Sequence, residues 1–232
     1  MNPLLSGSYS VDLKELLSIA HVEKNMQKDT YLYQEGDESD AIHYILSGKV
    51  RISKITPDGR ELTFRICGEN DFIGEITPFC DPSKYTVSAK VIEEGTCAKI
   101  RKEDLEEELL KNPSLTREYM KWMGLHHQRT QSKFRDLILH GKKGALYSTL
   151  IRLTNSYGVE GEDGILIDLN LTNMELANFC GMTREVVNRM LSELKKEKKL
   201  SLTDGKIVIH DLQYLKDQIH CENCPIEFCT IY

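Results

Sequence analysis

Two hydrophobic periods divide this chain. In the first part, apolar and polar residues alternate through TYLYQEGDESDAIHYILSGKVRISKITPDGRELTFRICGENDFIGEI, in short β-rich runs broken by turn signals at Gly36-Asp37, Ser47-Gly48 and Asp58-Gly59. Around Asp58-Gly59 both arms alternate, with Val50 and Ile52 before the turn and Leu62, Phe64 and Ile66 after it, which predicts a hairpin. A further strand run, TVSAKVIEEGTCAKI, follows. Many short strands at close spacing predict a small barrel or roll over residues 1–112.

The period then changes to that of a helix. From Glu103 to about Leu137 the pattern is helical, interrupted at Asn112-Pro113, with Ser114 as the expected N-cap of the second segment. Met123, His127, Thr130, Phe134 and Leu137 step by four, three, four and three, a narrow stripe suited to pairing with a second helix over 113–139. The alternative is one helix packed on its own domain. His140-Gly141-Lys142-Lys143-Gly144 interrupts this pattern and is read as the domain boundary. The remainder, 140–220, reads as helix (145–157), strand (165–169), helix (173–180), helix (183 to about 199), a hairpin around Thr203-Asp204-Gly205-Lys206 and a last helix, DLQYLKDQI. Residues 221–232 form a cysteine-rich tail. The fold class expected from these elements is α+β.

Length and composition narrow the choice. The 232 residues suit two domains, and 40% apolar with 28% charged residues is an ordinary soluble composition. The apolar runs are too short to span a membrane, and MNPLLSGSYSVDLKELL lacks the basic start and apolar block of a signal peptide, so a cytoplasmic location is expected. Seven cysteines in such a chain favour metal or redox chemistry over a disulfide framework. The net charge of −6 argues against a nucleic-acid partner only if charge is evenly spread. It is not: Arg184, Arg189, Lys195, Lys196, Lys198 and Lys199 outnumber Glu185, Glu193 and Glu197 between 184 and 199. A phosphate responds to the potential within a Debye length of roughly 8–10 Å.

That basic stretch belongs to LTNMELANFCGMTREVVNRMLSELKKEKKL. Thr172 is placed to cap one helix with Glu175 as its capping-box partner, Ala177 is small where two helices cross, and Gly181 supplies the turn. In the next helix Val187, Met190, Leu191 and Leu194 form a buried face. Glu185, Asn188, Arg189 and Ser192 occupy the opposite face, with Arg184 beside them. A helix-turn-helix lays such a face in the major groove of double-stranded DNA, where Arg189 takes a guanine edge and Glu185 accepts from a cytosine amino group. The hairpin at Asp204-Gly205 is then a wing. The competing reading is a helical hairpin with a solvated charged face.

The tail reads CENCPIEFCTIY. Cys221-x2-Cys224 is a chelating unit, and Cys229 adds a third thiol. Three thiolates hold a zinc ion with a fourth ligand, or three corners of a [4Fe–4S] cluster, and the spacing alone does not choose between them. Disulfide or redox-thiol roles are the other alternative. Cys67, Cys80, Cys97 and Cys180 are expected to be small buried hydrophobes.

Taken together, the chain resembles the CRP/FNR superfamily of transcription regulators. The resemblance rests on EGDESDAIHYILSGKV, PDGRELTFRICGENDFIGEI with Gly74-Glu75, and TREVVNRML. It implies a cyclic-nucleotide-binding-type β-roll, a long dimerisation helix and a winged helix-turn-helix. RDLILHGKKGALYSTLIRL, TNSYGVE and CENCPIEFC are similar to the Bacillus-type Fnr group of anaerobic regulators within it. That resemblance implies that Cys221, Cys224 and Cys229 ligate a [4Fe–4S] cluster, one per subunit, with Asp136 of the RDL segment as the fourth ligand. The residues alone would leave Asp136 a solvated carboxylate near a helix end.

The resemblance also departs from the pattern in two places. Cyclic-AMP-binding members carry an arginine after the Gly-Glu pair; GEITPFCDPSKYTVSAK has only Lys84, and no cyclic nucleotide is expected. Members with Glu and Arg at the positions of Glu185 and Arg189 read TGTGA-like half-sites; Asn188 stands where the enterobacterial pattern has Ser, which leaves the outer bases of the site open. What the resemblance implies is an oxygen-responsive activator of anaerobic genes, not an enzyme: a homodimer on a palindrome, working with RNA polymerase. A zinc-stapled or thiol–disulfide-switched regulator of the same superfamily is the alternative.

Overall fold

The computed structural model describes residues 12–74, 76–80 and 84–232. They form two compact units, one of residues 12–56 and 64–126 and the other of 57–63 and 127–231. In the first unit the strands are β1 (Val22–Met26), β2 (Tyr31–Tyr33), β3 (Ala41–Ile55), β4 (Glu61–Cys67), β5 (Phe72–Ile73) and β6 (Ser88–Arg101). They pair in the order β1-β6-β3-β4, with β2 added on β6 and β5 on β3. β3 and β6 run antiparallel from Ala41 opposite Arg101 to Ser53 opposite Ser88. Register shifts between Ile45 and Val50 bend the pair, as bulges do, and curl the sheet into the expected β-roll. Its core is built from Ile42, Ile45, Ile52, Ile73, Val91 and Ile100.

One strand departs from the predicted alternation. On β4, Leu62 and Phe64 are only half-buried, whereas Thr63, Arg65, Ile66 and Cys67 are buried. The inward face of this strand is therefore partly polar, which a hydrophobic period cannot reveal.

The helices α1 (Lys102–Lys111) and α2 (Pro113–Tyr157) meet at Asn112. Asn112, not Ser114, caps α2: its Oδ1 accepts from the Leu115 amide at 3.1 Å. Pro113 then occupies the first helical position, where its missing N–H costs nothing and its fixed φ is already helical. The first turns of α2 bury Leu115, Tyr119 and Trp122 against the roll. Met120, Phe134, Leu137, Ile138 and Leu139 remain exposed on α2, Phe134 by 63%. Inside α2 the backbone leaves helical geometry at Gly141 (φ 55, ψ −143), within the predicted boundary segment.

The second unit continues with β7 (Gly158–Gly161), β8 (Gly164–Ile167), α3 (Asn173–Cys180), α4 (Arg184–Lys196), β9 (Leu200–Thr203), β10 (Lys206–Ile209) and α5 (Leu212–Gln218). The sheet order is β7-β8-β10-β9, so β9 and β10 form the wing. β7, which the sequence reading lacked, pairs with β8. The mixed α+β architecture of roll, long helix and winged helix-turn-helix is thus present.

α3 begins and ends for local reasons. Thr172 Oγ1 accepts from the Glu175 amide at 3.2 Å, and Glu175 Oε2 accepts from the Thr172 amide at 2.8 Å, closing a capping box. Gly181 ends it in the left-handed region at φ 60, where a side chain is costly. Thr172→Ala is expected to lower the unfolding free energy by about 1 kcal/mol, read by urea denaturation; an unchanged midpoint would contradict the cap.

Cys67, Cys97 and Cys180 are buried, as expected. Cys80 is not: it is exposed, in the turn that follows Phe79 (φ 62). Among the described residues, no helix is long and apolar enough to cross a membrane.

Candidate metal centre and nucleic-acid interface

The C-terminal tail is docked, not frayed. Cys229 and Ile231 belong to the buried core of the second unit, and Cys221 and Cys224 pack against it. Backbone groups of the tail are held by side chains of α2. Arg129 Nε donates to the Glu227 carbonyl at 2.8 Å, Asn155 Nδ2 to the Cys229 carbonyl at 2.7 Å, and Ser156 Oγ accepts from the Ile231 amide at 2.9 Å. A 3-10 turn over Ile226–Phe228 folds the chain between Cys224 and Cys229, with the Cys229 amide donating to the Ile226 carbonyl at 2.8 Å. Cys221 is set at the end of α5 by its own amide, which donates to the Lys216 carbonyl at 2.9 Å.

Asp136 is not the solvated carboxylate that its position near a helix break suggested. It is 5% exposed, and its two oxygens are held by different guanidinium groups. Arg152 Nη1 lies 2.9 Å from Oδ2, and Arg135 donates to Oδ1 through Nε at 3.2 Å and Nη2 at 3.0 Å. Arg135 also pairs with Glu222 of the tail and interacts with Cys224. Arg152, 2% exposed, further donates to Ser132 Oγ at 2.9 Å and to the Ser148 carbonyl at 3.3 Å. Its Nε–H has no partner.

The bend at Gly141 makes this possible. Asp136 precedes it and Arg152 follows it, so their ion pair staples the two arms of α2. Gly144 permits the close return: a Cβ there would collide with the Asp136 carbonyl.

Electrostatically, the three thiols and Asp136 form one neighbourhood. Burial pushes the Cys229 thiol up to about 11; Arg152 opposes the rise, while Cys224, Cys221 and Asp136 add to it. Among the described residues no group of three His, Cys, Asp or Glu side chains stands in metal-ligating geometry. By residue type the donor set nevertheless suits a sulfur-ligated metal group of net negative charge. It has three thiols, a buried carboxylate and a buried guanidinium with an unused donor, in a place where an uncompensated polar N–H is costly. The cluster named by the resemblance would be held by Cys221, Cys224, Cys229 and Asp136. Arg135 and Arg152 carry no signal in hydrophobic periodicity; a charge inside the apolar run LIRL was the available hint.

The second candidate surface is α4. Val187, Leu191 and Leu194 are buried and Met190 is half-buried, which leaves Arg184, Glu185 and Arg189 exposed and Asn188 half-exposed. Asn188 Oδ1 accepts from Asn173 Nδ2 of α3, so one side chain of this face is fixed by the neighbouring helix. Hydrogen bonds from the local backbone and from Thr183 hold the Glu185 carboxyl below its usual range, so it is an acceptor at neutral pH. Lys195 and Lys196 place positive charge in the last turn.

The roll interior is the third. Tyr33 stacks on Tyr85 with ring centroids 3.9 Å apart, and burial pushes the His43 imidazole down to about 4. Arg65, 9% exposed, reaches His126 Nδ1 at 2.9 Å. Arg65 is thus a buried cation that the sequence reading, which considered only Lys84, missed. Lys84 is exposed, its backbone bridged to that of Glu38, and Glu75 lies outside the described residues.

Comparison with known proteins covers the whole chain. The profile of the cyclic nucleotide-binding domain matches residues 23–112, and that of the Crp-like helix-turn-helix domain matches 144–218. The chain is 51% identical to the "Anaerobic regulatory protein" of Bacillus subtilis over 232 residues, covering 100% of this chain and 98% of that one. It is 28% identical to a "CRP-like cAMP-activated global transcriptional regulator" of Mycobacterium tuberculosis, covering 85% and 90% of the two. In structure it is similar to a CooA mutant from Carboxydothermus hydrogenoformans (TM-score 0.76, 21% identity, 94% of this chain and 96% of that one). It is also similar to the c-di-GMP-responsive regulator CLP of Xanthomonas campestris (TM-score 0.72, 22% identity, 85% and 98% covered). At these identities the structures speak for the fold alone.

Proposed function

This chain belongs to the CRP/FNR family of DNA-binding transcription regulators, and we propose that within it the protein is an oxygen-responsive activator governed by a [4Fe–4S] cluster at its tail. Cys221, Cys224, Cys229 and Asp136 hold the cluster, one per subunit. The observation that supports this reading is a tail docked on α2 whose three thiols share an electrostatic neighbourhood with a carboxylate buried at the bend of α2, beside an unused guanidinium N–H. When bound, the cluster supplies an oxygen-labile link between the tail and α2. The oxygen donor of Asp136 makes one corner less tightly held than a fourth thiolate would, which suits a sensor that must lose its cluster.

The chain's own residues convert occupancy into DNA binding. The Asp136–Arg152 pair spans the Gly141 bend, so whatever holds Asp136 and the tail fixes the arm that carries α3 and α4. With the site emptied, the tail is left to its hydrogen bonds with Arg129, Asn155 and Ser156, the Arg135–Glu222 pair and the packing of Cys229 and Ile231. A coupling of about 1–3 kcal/mol changes affinity roughly 5–150-fold. The exposed Phe134, Leu137, Ile138 and Leu139 side chains of α2 supply an apolar face for a second copy, giving a homodimer on a palindrome that recruits RNA polymerase.

The reading rests on cluster assembly, and air-free reconstitution with iron and sulfide tests it. The expected product is brown and contains acid-labile sulfide; a colourless protein holding only zinc, or a disulfide within the tail, would overturn it. On the DNA side, Arg189→Ala is expected to cost about 1–3 kcal/mol of specific binding, with preference relaxed at one base pair, in a competition gel-shift. An unchanged preference would remove Arg189 from the reading face.

A further inference from the structure

Arg152 is an arginine buried to 2% exposure with one of its three nitrogens left without a partner. Its Nη1 is taken by Asp136 and the Ser148 carbonyl, and its Nη2 by Ser132. The Nε–H meets nothing, although the Cys229 thiol lies within its electrostatic reach. Buried guanidinium donors are rarely left idle.

The charge balance points the same way, and it rests on the reading that the tail holds a cluster. Three thiolates and the Asp136 carboxylate carry four negative charges, and a [4Fe–4S] core in its oxidised sensor form carries two positive ones. The sum is minus two, in a site buried at Asp136 and Cys229. Arg152 lies wholly inside this site, whereas Arg135 is shared between Asp136 and the exposed Glu222, so Arg152 is the buried counter-charge. Uncompensated buried charge is expensive, so the loaded site, more negative than the empty one, depends more heavily on the buried Arg152.

We propose that Arg152 is a positioning residue of the cluster site: it supplies the internal counter-charge, holds Asp136 as a ligand, and directs its free Nε–H at a cluster or Cys229 sulfur. Hydrogen bonds to sulfur and nearby positive charge both raise the potential of an iron–sulfur cluster, because they favour the added electron. Arg152 therefore sets how readily the site is reduced and how firmly it keeps iron.

The test uses full-length protein, reconstituted air-free, as wild type, Arg152→Lys and Arg152→Met. The lysine keeps the charge and the link to Asp136 but has no Nε–H. Three quantities are read: the one-electron reduction potential, cluster loss to an iron chelator, and the urea midpoint of the metal-free protein. Arg152→Lys is expected to keep a midpoint near that of wild type, yet to show a more negative potential and about 10- to 100-fold weaker retention of iron. Arg152→Met is expected to shift the potential further and to lower the midpoint as well. A lysine variant with wild-type potential and retention would reduce Arg152 to a structural partner of Asp136 and overturn the proposal, even if the methionine variant failed to fold. Wild type that takes up no iron and sulfide would instead overturn the cluster reading, and this proposal with it.

Discussion

Asp136→Ala will destabilise the metal-free protein by about 3–5 kcal/mol, a cost that has nothing to do with iron. The carboxylate is 5% exposed and is the acidic partner of a guanidinium that is itself 2% exposed. Removing it leaves Arg152 buried with an unanswered charge, while Arg135 keeps Glu222 and Cys224. Loss of the staple across Gly141 should loosen the second unit first, so circular dichroism in urea is the suitable probe. Trp122, the chain's one tryptophan, packs against the roll of the first unit and should report little. Asp136→Asn, which retains an acceptor oxygen, should cost less. Were Asp136 only a solvated group, alanine would change stability by no more than about 0.5 kcal/mol, and that outcome would refute the buried pair.

The second large effect is on cluster assembly. Cys229→Ser is expected to abolish retention of iron and sulfide and to lower specific DNA affinity roughly 5–150-fold, the range that the coupling allows. Serine nearly preserves the volume and leaves the Cys229 carbonyl bonded to Asn155, so the tail should remain folded. Chromophore, labile sulfide and gel-shift measured on one preparation separate loss of the metal from loss of the fold. A serine variant that stays brown and binds its palindrome like wild type would exclude Cys229 as a ligand.

What could be read from the sequence was what local chemistry decides. The Thr172–Glu175 box, the Gly181 turn and the hairpin at Asp204-Gly205 are each contained within a few residues, and all three are in the structure. The polar face of α4 followed from the same spacing that buried Val187, Leu191 and Leu194. Non-local pairings were not legible. Nothing near Asp136 in the chain says that it is buried; its partner, Arg152, arrives only because the helix bends at Gly141 and Gly144 lets the arms close. Arg65 was hidden in the same way, because β4 turns polar Thr63 and Arg65 inward where its larger apolar residues suggested the opposite face. Asn112 displaced Ser114 as cap because proline fits the first helical position better than the last free one. The three tail cysteines were conspicuous from their spacing, but their docking against α2 depends on Arg129, Asn155 and Ser156, residues with no periodic signature.

The most direct trial of a tail-borne oxygen switch is a gel-shift on a single palindromic duplex, with one reconstituted sample assayed before and after admission of air. The cluster-loaded dimer should bind and the bleached one should release the duplex, with affinity falling roughly 5–150-fold as sulfide is lost. Equal binding by the brown and the bleached protein would contradict the account.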